Sequence, residues 1–281
     1  MDKIKFLYSL NVRVVRLRKI IKRIFPASLI AKLKKGNNGD ISDPFGLVDG
    51  AYPWTSPNVW HEIVSFYSGL NCPTIVEFGT GASTINHIQA MMGLGCSRYI
   101  GIEDNPTWFW LVVASILRKA NRSGSKIEVN IKYPGQIKEA EDVDVDIALE
   151  NISILMRLRT DLKGYLAAFD QKCDVVIVDG ISRKECIQKI LSTSYLREGG
   201  LLMLMEAGRG SYDWWEGKLY GDDDYSTELE NLLSLGGILL NGNGLDNWVG
   251  CKRKSSGPIS YYYPMEACKL IMPNQKNLID I

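Results

Sequence analysis

A carboxylate precedes a glycine turn in the stretch TIVEFGTGASTI, residues 74–85. Glu77 lies two residues before Gly79, and Gly81 lies two residues after it. Glycine lets the backbone approach a ligand that a β-carbon would exclude. A dinucleotide site would have a third glycine where this chain has Thr84, and a carboxylate beside a pyrophosphate would repel it. Glu77 therefore favours a ligand that carries an ammonium group.

A second pair of acids ends the next apolar segment. Glu103 and Asp104 follow the glycine turn by about 20 residues, where an acid can accept both hydroxyls of a ribose. We predict that Ser83 and Thr84 cap the helix that follows the glycine turn. The exposed amides at the start of that helix favour an anionic or electron-rich group. Trp108 is a candidate to stack on a base. One ligand satisfies both sets of acids, a nucleoside joined to an amino acid.

Three further side chains are candidates for proton transfer. Asp179 and Glu206 each end a later apolar segment, so a parallel sheet would bring both to the same edge. A carboxylate can act as a general base when burial raises its pKa. His61, on a helix-like stretch before the first apolar segment, is the third candidate base.

The elements that must position these residues alternate regularly. Short segments rich in Ile, Val and Leu predict strands, and the stretches between them predict helices. We predict strands at 74–78, 99–102, 127–131, 174–178 and 201–205, helices at 83–92, 106–120, 152–169 and 183–196, then a helix at 226–235 and apolar runs at 238–240 and 248–252. This order predicts an α/β fold, Rossmann-like and doubly wound, with a mostly parallel seven-stranded sheet and helices on both faces.

Charge is unevenly distributed along the chain. Of the 33 Lys and Arg residues, eleven lie in residues 1–36 with one acid, which gives a net charge of +10 there and −9 elsewhere. The acidic body argues against a nucleic-acid partner, which would require Lys and Arg against phosphates. Residues 3–25 place apolar side chains at spacings of three and four, which predicts a basic amphipathic helix. Its predicted partner is an anionic membrane surface or a second copy of the chain; packing on the body and a mitochondrial presequence are the alternatives.

Composition sets the remaining boundaries. We interpret residues 1–36 as the helical segment, 37–58 as a linker or substrate-side loop, 59–254 as the ligand-binding domain and 255–281 as a C-terminal tail. Six cysteines without a C-x-x-C pair favour a reducing compartment. No apolar run reaches the roughly 18–20 residues that span a bilayer, so we expect a cytoplasmic protein that associates with membranes at most peripherally.

Four stretches carry a resemblance to a known family. VEFGTGAS, YIGIEDNPTWF, CDVVIVDGISR and EGGLLMLMEAGR resemble the class I S-adenosylmethionine-dependent methyltransferases, and the likeness covers residues 74 to about 254. Within that family the chain is most similar to the O-methyltransferases that modify sugars and macrolides. The late run GGILLNGNGLDNWVGCKRK resembles the antiparallel seventh strand of that fold.

The resemblance implies roles for individual residues. Glu77 would hold the methionine amino group through the glycine loop, Gly79 and Gly81 would line it, and Glu103 would take the ribose. In metal-dependent members, the positions of Asp179 and Glu206 supply acids that bind a divalent cation such as Mg²⁺, usually with a second acid or amide. This chain has Ala207 there instead.

The implied activity is methyl transfer from S-adenosylmethionine to a hydroxyl of a small-molecule, glycan or lipid-linked sugar acceptor. Three alternatives stay open: an aminopropyl transferase, a nicotinamide-dependent oxidoreductase, and a non-catalytic adaptor that binds the same cofactor.

Overall fold

A computed structural model describes residues 57–134, 142–205, 226–240 and 267–272. Several predicted features lie outside the described residues: the basic N-terminal helix, Glu206, the run 248–252 and most of the linker 37–58.

The described residues form six helices and nine strands. The helices are α1 (Pro57–Ser68), α2 (Ala82–Met91), α3 (Pro106–Arg122), α4 (Leu162–Ala167), α5 (Arg183–Ser192) and α6 (Ser226–Ser234). The strands are β1 (Thr74–Phe78), β2 (Ser97–Glu103), β3 (Ile127–Lys132), β4 (Val143–Leu149), β5 (Ile152–Leu158), β6 (Cys173–Val178), β7 (Leu196–Met205), β8 (Ile238–Leu240) and β9 (Ala267–Ile271). None of these helices is both long enough and apolar enough to cross a membrane.

All nine strands join one sheet in the order β3-β4-β5-β2-β1-β6-β7-β9-β8. The five central strands, β5-β2-β1-β6-β7, pair in parallel. β4 and β9 run in the opposite direction, because they pair antiparallel with β5 and β7. The two outermost strands, β3 and β8, pair antiparallel with β4 and β9 and so run in the same direction as the central strands. The Rossmann-like, mostly parallel sheet is therefore confirmed, and the described residues contribute nine strands to it where seven were predicted.

One predicted helix was wrong. Residues 152–169 were expected to be helical, but Ile152–Leu158 is a strand that pairs with β2 from Ser97↔Ile152 to Glu103↔Leu158. Only Leu162–Ala167 is helical. A continuous apolar run fits a buried strand and a buried helix equally well, so the periodicity did not separate them. The prediction also missed Val143–Leu149, although its alternation of apolar and polar residues is typical of a strand.

The end of the sheet also differs from the prediction. The antiparallel strand beside β7 is Ala267–Ile271, which pairs from Leu201↔Ile271 to Met205↔Ala267. Ile238–Leu240, expected to form part of that antiparallel strand, pairs on the outer side of β9. The sheet thus extends into the segment that we interpreted as a C-terminal tail.

Helices cover both faces of the sheet, as predicted. On one face, buried side chains of β1, β2 and β6 pack in one cluster with Tyr165 of α4, Ile187 of α5 and Leu232 of α6. On the other face, Tyr99 of β2 stacks on His87 of α2, with ring centroids 6.4 Å apart, and Tyr67 of α1 packs against the same imidazole. Each large apolar side chain that is fully buried contributes about 1.5–3 kcal/mol to folding.

A disulfide joins the two loops that lead into β1 and β2. It links Cys72 to Cys96, whose Cα atoms lie 4.9 Å apart. The sequence did not predict this bond. Cys173 and Cys186 are free and buried, and burial raises the pKa of the Cys186 thiol to about 12, so both are packing residues rather than nucleophiles.

Candidate active site

The turns that follow β1 and β6 touch through their backbones. Gly79 has φ +86°, and its N–H donates to the carbonyl of Ile102 at 2.9 Å. The N–H of Asp179 donates to the carbonyl of Phe78 at 2.8 Å. A β-carbon on Gly79 would overlap the backbone of Gly180. Because the strand order reverses between β1 and β6, this contact lies where open α/β sheets bind their ligands.

Glu77 is enclosed by hydroxyl groups at the base of this turn. It has no solvent exposure. Its Oε1 accepts from the Ser83 hydroxyl at 2.6 Å, and its Oε2 accepts from the hydroxyls of Thr84 and Tyr99. Thr84 Oγ1 in turn accepts from the N–H of Gly81 at 2.9 Å. Burial raises the pKa of the Glu77 carboxyl, while the three hydroxyl donors act to lower it. The carboxylate therefore ties β1, β2 and the start of α2 together.

This network corrects the predicted cap of the helix. We expected Ser83 and Thr84 to be the N-cap residues, but α2 begins at Ala82 and its N-cap is Gly81. The two hydroxyls turn to Glu77 instead, because a buried carboxylate requires hydrogen-bond donors. Glu77 thus holds the glycine loop by contact, and a direct bond from Glu77 to a ligand ammonium stays a prediction.

Glu103 ends β2 and braces the same loop from the other side. Its Oε2 accepts from the N–H and the hydroxyl of Thr80 at 2.9 and 3.0 Å, and its Oε1 accepts from the N–H of Asn105 at 3.1 Å. A carboxylate offers about four acceptor positions, so one remains on Oε1. Burial raises the pKa of Glu103 to about 7, against the opposing effect of these hydrogen bonds.

Trp108 lies across the glycine loop. Its indole N–H donates to the carbonyl of Thr80, and a β-carbon added to Gly81 would lie 3.8 Å from the ring. Asn105 fixes this position by capping α3, since its side chain accepts from the N–H of Trp108 at 3.0 Å. The structure thus brings Trp108 to the predicted site as a brace of the loop, and its stacking on a base stays a prediction. Asp104, which follows β2 directly, is half-buried.

Asp179 follows β6 directly and is held by Arg183. The guanidinium Nη2 lies 3.5 Å from Asp179 Oδ1 and donates to the Asp179 carbonyl at 3.2 Å, while Nε donates to the carbonyl of Gly180 at 3.1 Å. The Asp179 side chain remains 32% exposed. A partly exposed carboxylate therefore lies at the reversal point of the sheet, where the Arg183 guanidinium orients it.

The predicted metal site involves a residue that the structure does not describe. β7 ends at Met205, and Glu206 lies outside the described residues. Within the described ranges, no group of three or more His, Cys, Asp or Glu side chains is arranged to hold a metal ion. Joint binding of Mg²⁺ by Asp179 and Glu206 stays a prediction.

The two histidines have different environments. His61 is exposed on α1, and its ring nitrogens lie 3.2 and 3.3 Å from the Ser65 hydroxyl. His87 is 1% exposed, and its Nδ1 lies 3.4 Å from the hydroxyl of Tyr67. Burial lowers the pKa of His87 to about 3, so this imidazole is neutral and serves packing.

Four residues of the site were missed. Thr80 and Tyr99 bond to the two buried glutamates, and Gly180 contacts Gly79. The sequence could have indicated two of them, since Thr80 lies between two glycines and Gly180 follows the acid at the end of a predicted strand. Tyr165 was not, yet its hydroxyl is buried with no hydrogen-bond partner in the described part of the chain, and a side chain on Gly180 would overlap it.

No protein-family model matches the chain, and no curated protein matches it. Its structure is similar to the O-methyltransferase TomG from Streptomyces achromogenes, involved in tomaymycin synthesis and in complex with SAM (13% identity, 87% of this chain, 96% of that chain, TM-score 0.46). It is also similar to the O-methyltransferase from Bacillus cereus in complex with SAH (12% identity, 90% and 96%, TM-score 0.45). A third similar structure is precorrin-6y C5,15-methyltransferase from Geobacter metallireducens (13% identity, 75% and 87%, TM-score 0.40).

Proposed function

We propose that this chain binds S-adenosylmethionine and transfers its methyl group to a hydroxyl of a small-molecule or saccharide acceptor. The observation that supports the proposal best is Glu103. It is a buried carboxylate at the end of β2, held by the glycine loop through Thr80, with one acceptor position left on Oε1. A ribose hydroxyl is a donor that suits this position.

The residues around Glu103 fit the rest of the cofactor. Ser83, at the start of α2, is half-buried and donates to Glu77. A hydroxyl backed by a buried carboxylate can accept a hydrogen bond from an ammonium group, which supports a cofactor contact here. A β-carbon added to Gly81 would make only ordinary contacts, with the Trp108 ring 3.8 Å away, so the described residues leave room for one more carbon at this position. S-adenosylmethionine, when bound, supplies a methyl group on a sulfonium that is already activated for transfer.

The protein's own part in the reaction is to position the acceptor and remove its proton. Positioning alone can be worth effective molarities of about 10⁵–10⁸ M. Asp179 is the described carboxylate that we propose as general base, because it is partly open and is oriented by Arg183. Glu206 is proposed as its partner, either as a second base or, with Asp179, as a ligand for Mg²⁺.

Calorimetric titration of the full chain tests the proposed cofactor. We expect S-adenosylhomocysteine to bind with a Kd in the micromolar range, about −8 kcal/mol, and NAD to give no heat of binding. Decarboxylated S-adenosylmethionine would bind more tightly than S-adenosylhomocysteine if the chain were an aminopropyl transferase. NAD binding, or no binding of S-adenosylhomocysteine at millimolar concentration, would exclude the proposed function.

Replacement of Asp179 by alanine separates transfer from binding. We expect methyl transfer to fall by about 10²–10⁴-fold, with the Kd for S-adenosylhomocysteine within a few-fold of wild type. Transfer is measured with tritiated S-adenosylmethionine and a panel of monosaccharides, nucleotide sugars and catechols. Ser192→Ala, on the exposed end of α5, is the control. Equal transfer by the Asp179→Ala and Ser192→Ala variants would remove Asp179 from the chemistry.

Affinity for the cofactor is expected to depend on pH through Glu103. An ionised carboxylate accepts hydrogen bonds more strongly than a protonated one, and burial raises the pKa of Glu103 to about 7. The affinity for S-adenosylhomocysteine should therefore rise about tenfold between about pH 6 and pH 8. Calorimetry at both pH values measures it, and Glu103→Gln should remove the dependence. A wild-type affinity that is flat over this range would contradict a ribose contact at Glu103.

The same shift has the opposite sign for stability without ligand. Because the pKa of Glu103 is higher in the folded chain than its ordinary value of 4.5, the folded state binds the proton more tightly than the unfolded state. The contribution is fully present below about pH 4.5 and is lost as the pH rises through about 7. Denaturation midpoints of the ligand-free chain should show this decline, and Glu103→Gln should reduce it.

A further inference from the structure

The strand β3 stands at one end of the described sheet. Within the described residues it pairs on one side only, with β4. Four of its six residues are exposed in the folded chain, and Ile127 and Ile131 are half-buried. A strand in this position presents a row of backbone donors and acceptors to which another strand can pair.

The two faces of β3 differ in chemistry. Side chains alternate between the faces of a strand, so Ile127, Val129 and Ile131 share one face, and Glu128, Asn130 and Lys132 share the other. On the apolar face Val129 is 38% exposed, and Tyr133, which follows the strand, is 55% exposed. β3 therefore offers an apolar row and a charged row along the edge that pairs with no other described strand.

The sequence of β3 is complementary to itself in one antiparallel register. If a two-fold axis passes through Asn130, Glu128 of each copy lies opposite Lys132 of the other. In the same register Val129 lies opposite Ile131, and Ile127 lies opposite Tyr133. Opposite charges and apolar pairs that face each other across strands stabilise the pairing. We infer that β3 pairs with β3 of a second copy of this chain, and so continues the sheet across a homodimer.

Two exposed ion pairs that these charges make with described residues of the same chain are compatible with this pairing. Glu128 lies 3.0 Å from Lys126, and both side chains are more than 60% exposed. Lys132 lies 2.8 Å from Asp146 and is 60% exposed. Exposed ion pairs of this kind contribute little to stability, so Glu128 and Lys132 can exchange partners, or share them, when a second copy approaches.

A charge swap tests the dimer and its register. Sedimentation equilibrium of the full chain should give twice the 31.5 kDa mass of one chain. Glu128→Lys places Lys opposite Lys twice, and Lys132→Glu places Glu opposite Glu twice. Each single variant is expected to raise the dimer dissociation constant at least about tenfold, and the double variant Glu128→Lys/Lys132→Glu should return it to within about threefold.

Glu150→Lys is the matched control, because it makes the same change of charge at the turn between β4 and β5 and should leave the dissociation constant unchanged. Circular dichroism of every variant checks that the fold is intact. A wild type that is still monomeric at about 100 µM, which corresponds to a binding free energy weaker than about −5.5 kcal/mol, would overturn the inference. A dimer that all three β3 variants leave unchanged would do the same, since it would place the interface elsewhere, for example at residues 3–25.

Discussion

Gly79→Ala is expected to lower the free energy of unfolding by about 3–5 kcal/mol and to abolish binding of S-adenosylhomocysteine. Gly79 has φ +86°, where a β-carbon by itself costs roughly 1–2 kcal/mol. The added carbon would also overlap the Gly180 backbone and lie 2.8 Å from the carbonyl carbon of Asp179. Neither neighbour is a flexible side chain, so β1 and β6 would have to separate. Urea denaturation followed by circular dichroism measures the loss.

Gly81→Ala is the matched control in the same loop. Gly81 has φ −171°, which is extended backbone, and its added β-carbon would make only ordinary contacts with Trp108 and Ser83. We expect a change in stability within about 0.5–1 kcal/mol, together with weaker cofactor binding if the ligand lies against this residue. Equal stability of the Gly79→Ala and Gly81→Ala variants would contradict the close contact between the turns.

The central strands could be predicted because a strand that is buried on both faces has a recognisable local sequence. Strands covered on both faces read as continuous apolar runs, and the predicted bounds of Thr74–Phe78 match the structure. The glycine after β1 and the proline that begins α3 mark where those elements end and start. Acids at the ends of β1, β2 and β6 then follow, since parallel strands deliver their carboxyl ends to one edge.

The outer strands could not be predicted in the same way, because their identity depends on distant partners. Ile152–Leu158 is a strand because β2 and β4 lie on either side of it. Ala267–Ile271 joins β7 from a segment more than 60 residues later in the chain. The helix or strand propensity of a short segment does not reveal such pairing, because tertiary context routinely overrides propensity.

In the site, too, the sequence predicted which acids would be present but not which residues would bond to them. The sequence predicted that Glu77 and Glu103 would lie at the glycine loop, and they do. It did not predict that Thr80, Thr84 and Tyr99 would bond to them. Those contacts depend on how β2 aligns beside β1, where Glu77 lies opposite Gly101, two residues from Tyr99. A single sequence does not specify that register.

Because β2 aligns beside β1 in this register, replacing Glu77 is also expected to cause a large loss of stability. Glu77→Ala should lower the free energy of unfolding by about 3–5 kcal/mol, because it opens a cavity and leaves buried hydroxyls of Thr84 and Tyr99 without their acceptor. Glu77→Gln keeps the volume and one acceptor oxygen, and burial already disfavours the charge that it removes. We expect this variant to lose only about 1–2 kcal/mol. Urea denaturation of both variants measures the difference.

Binding of S-adenosylhomocysteine by Glu77→Gln then separates two roles for the carboxylate. If Glu77 acts by holding the loop through Ser83 and Thr84, affinity should fall in proportion to the loss of stability, by about tenfold. If its negative charge contacts the ligand ammonium directly, affinity should fall by a hundredfold or more, at roughly 1.4 kcal/mol per tenfold, with stability nearly unchanged. The enclosed position of the carboxylate leads us to expect the first result, and a stable variant that does not bind would establish the second.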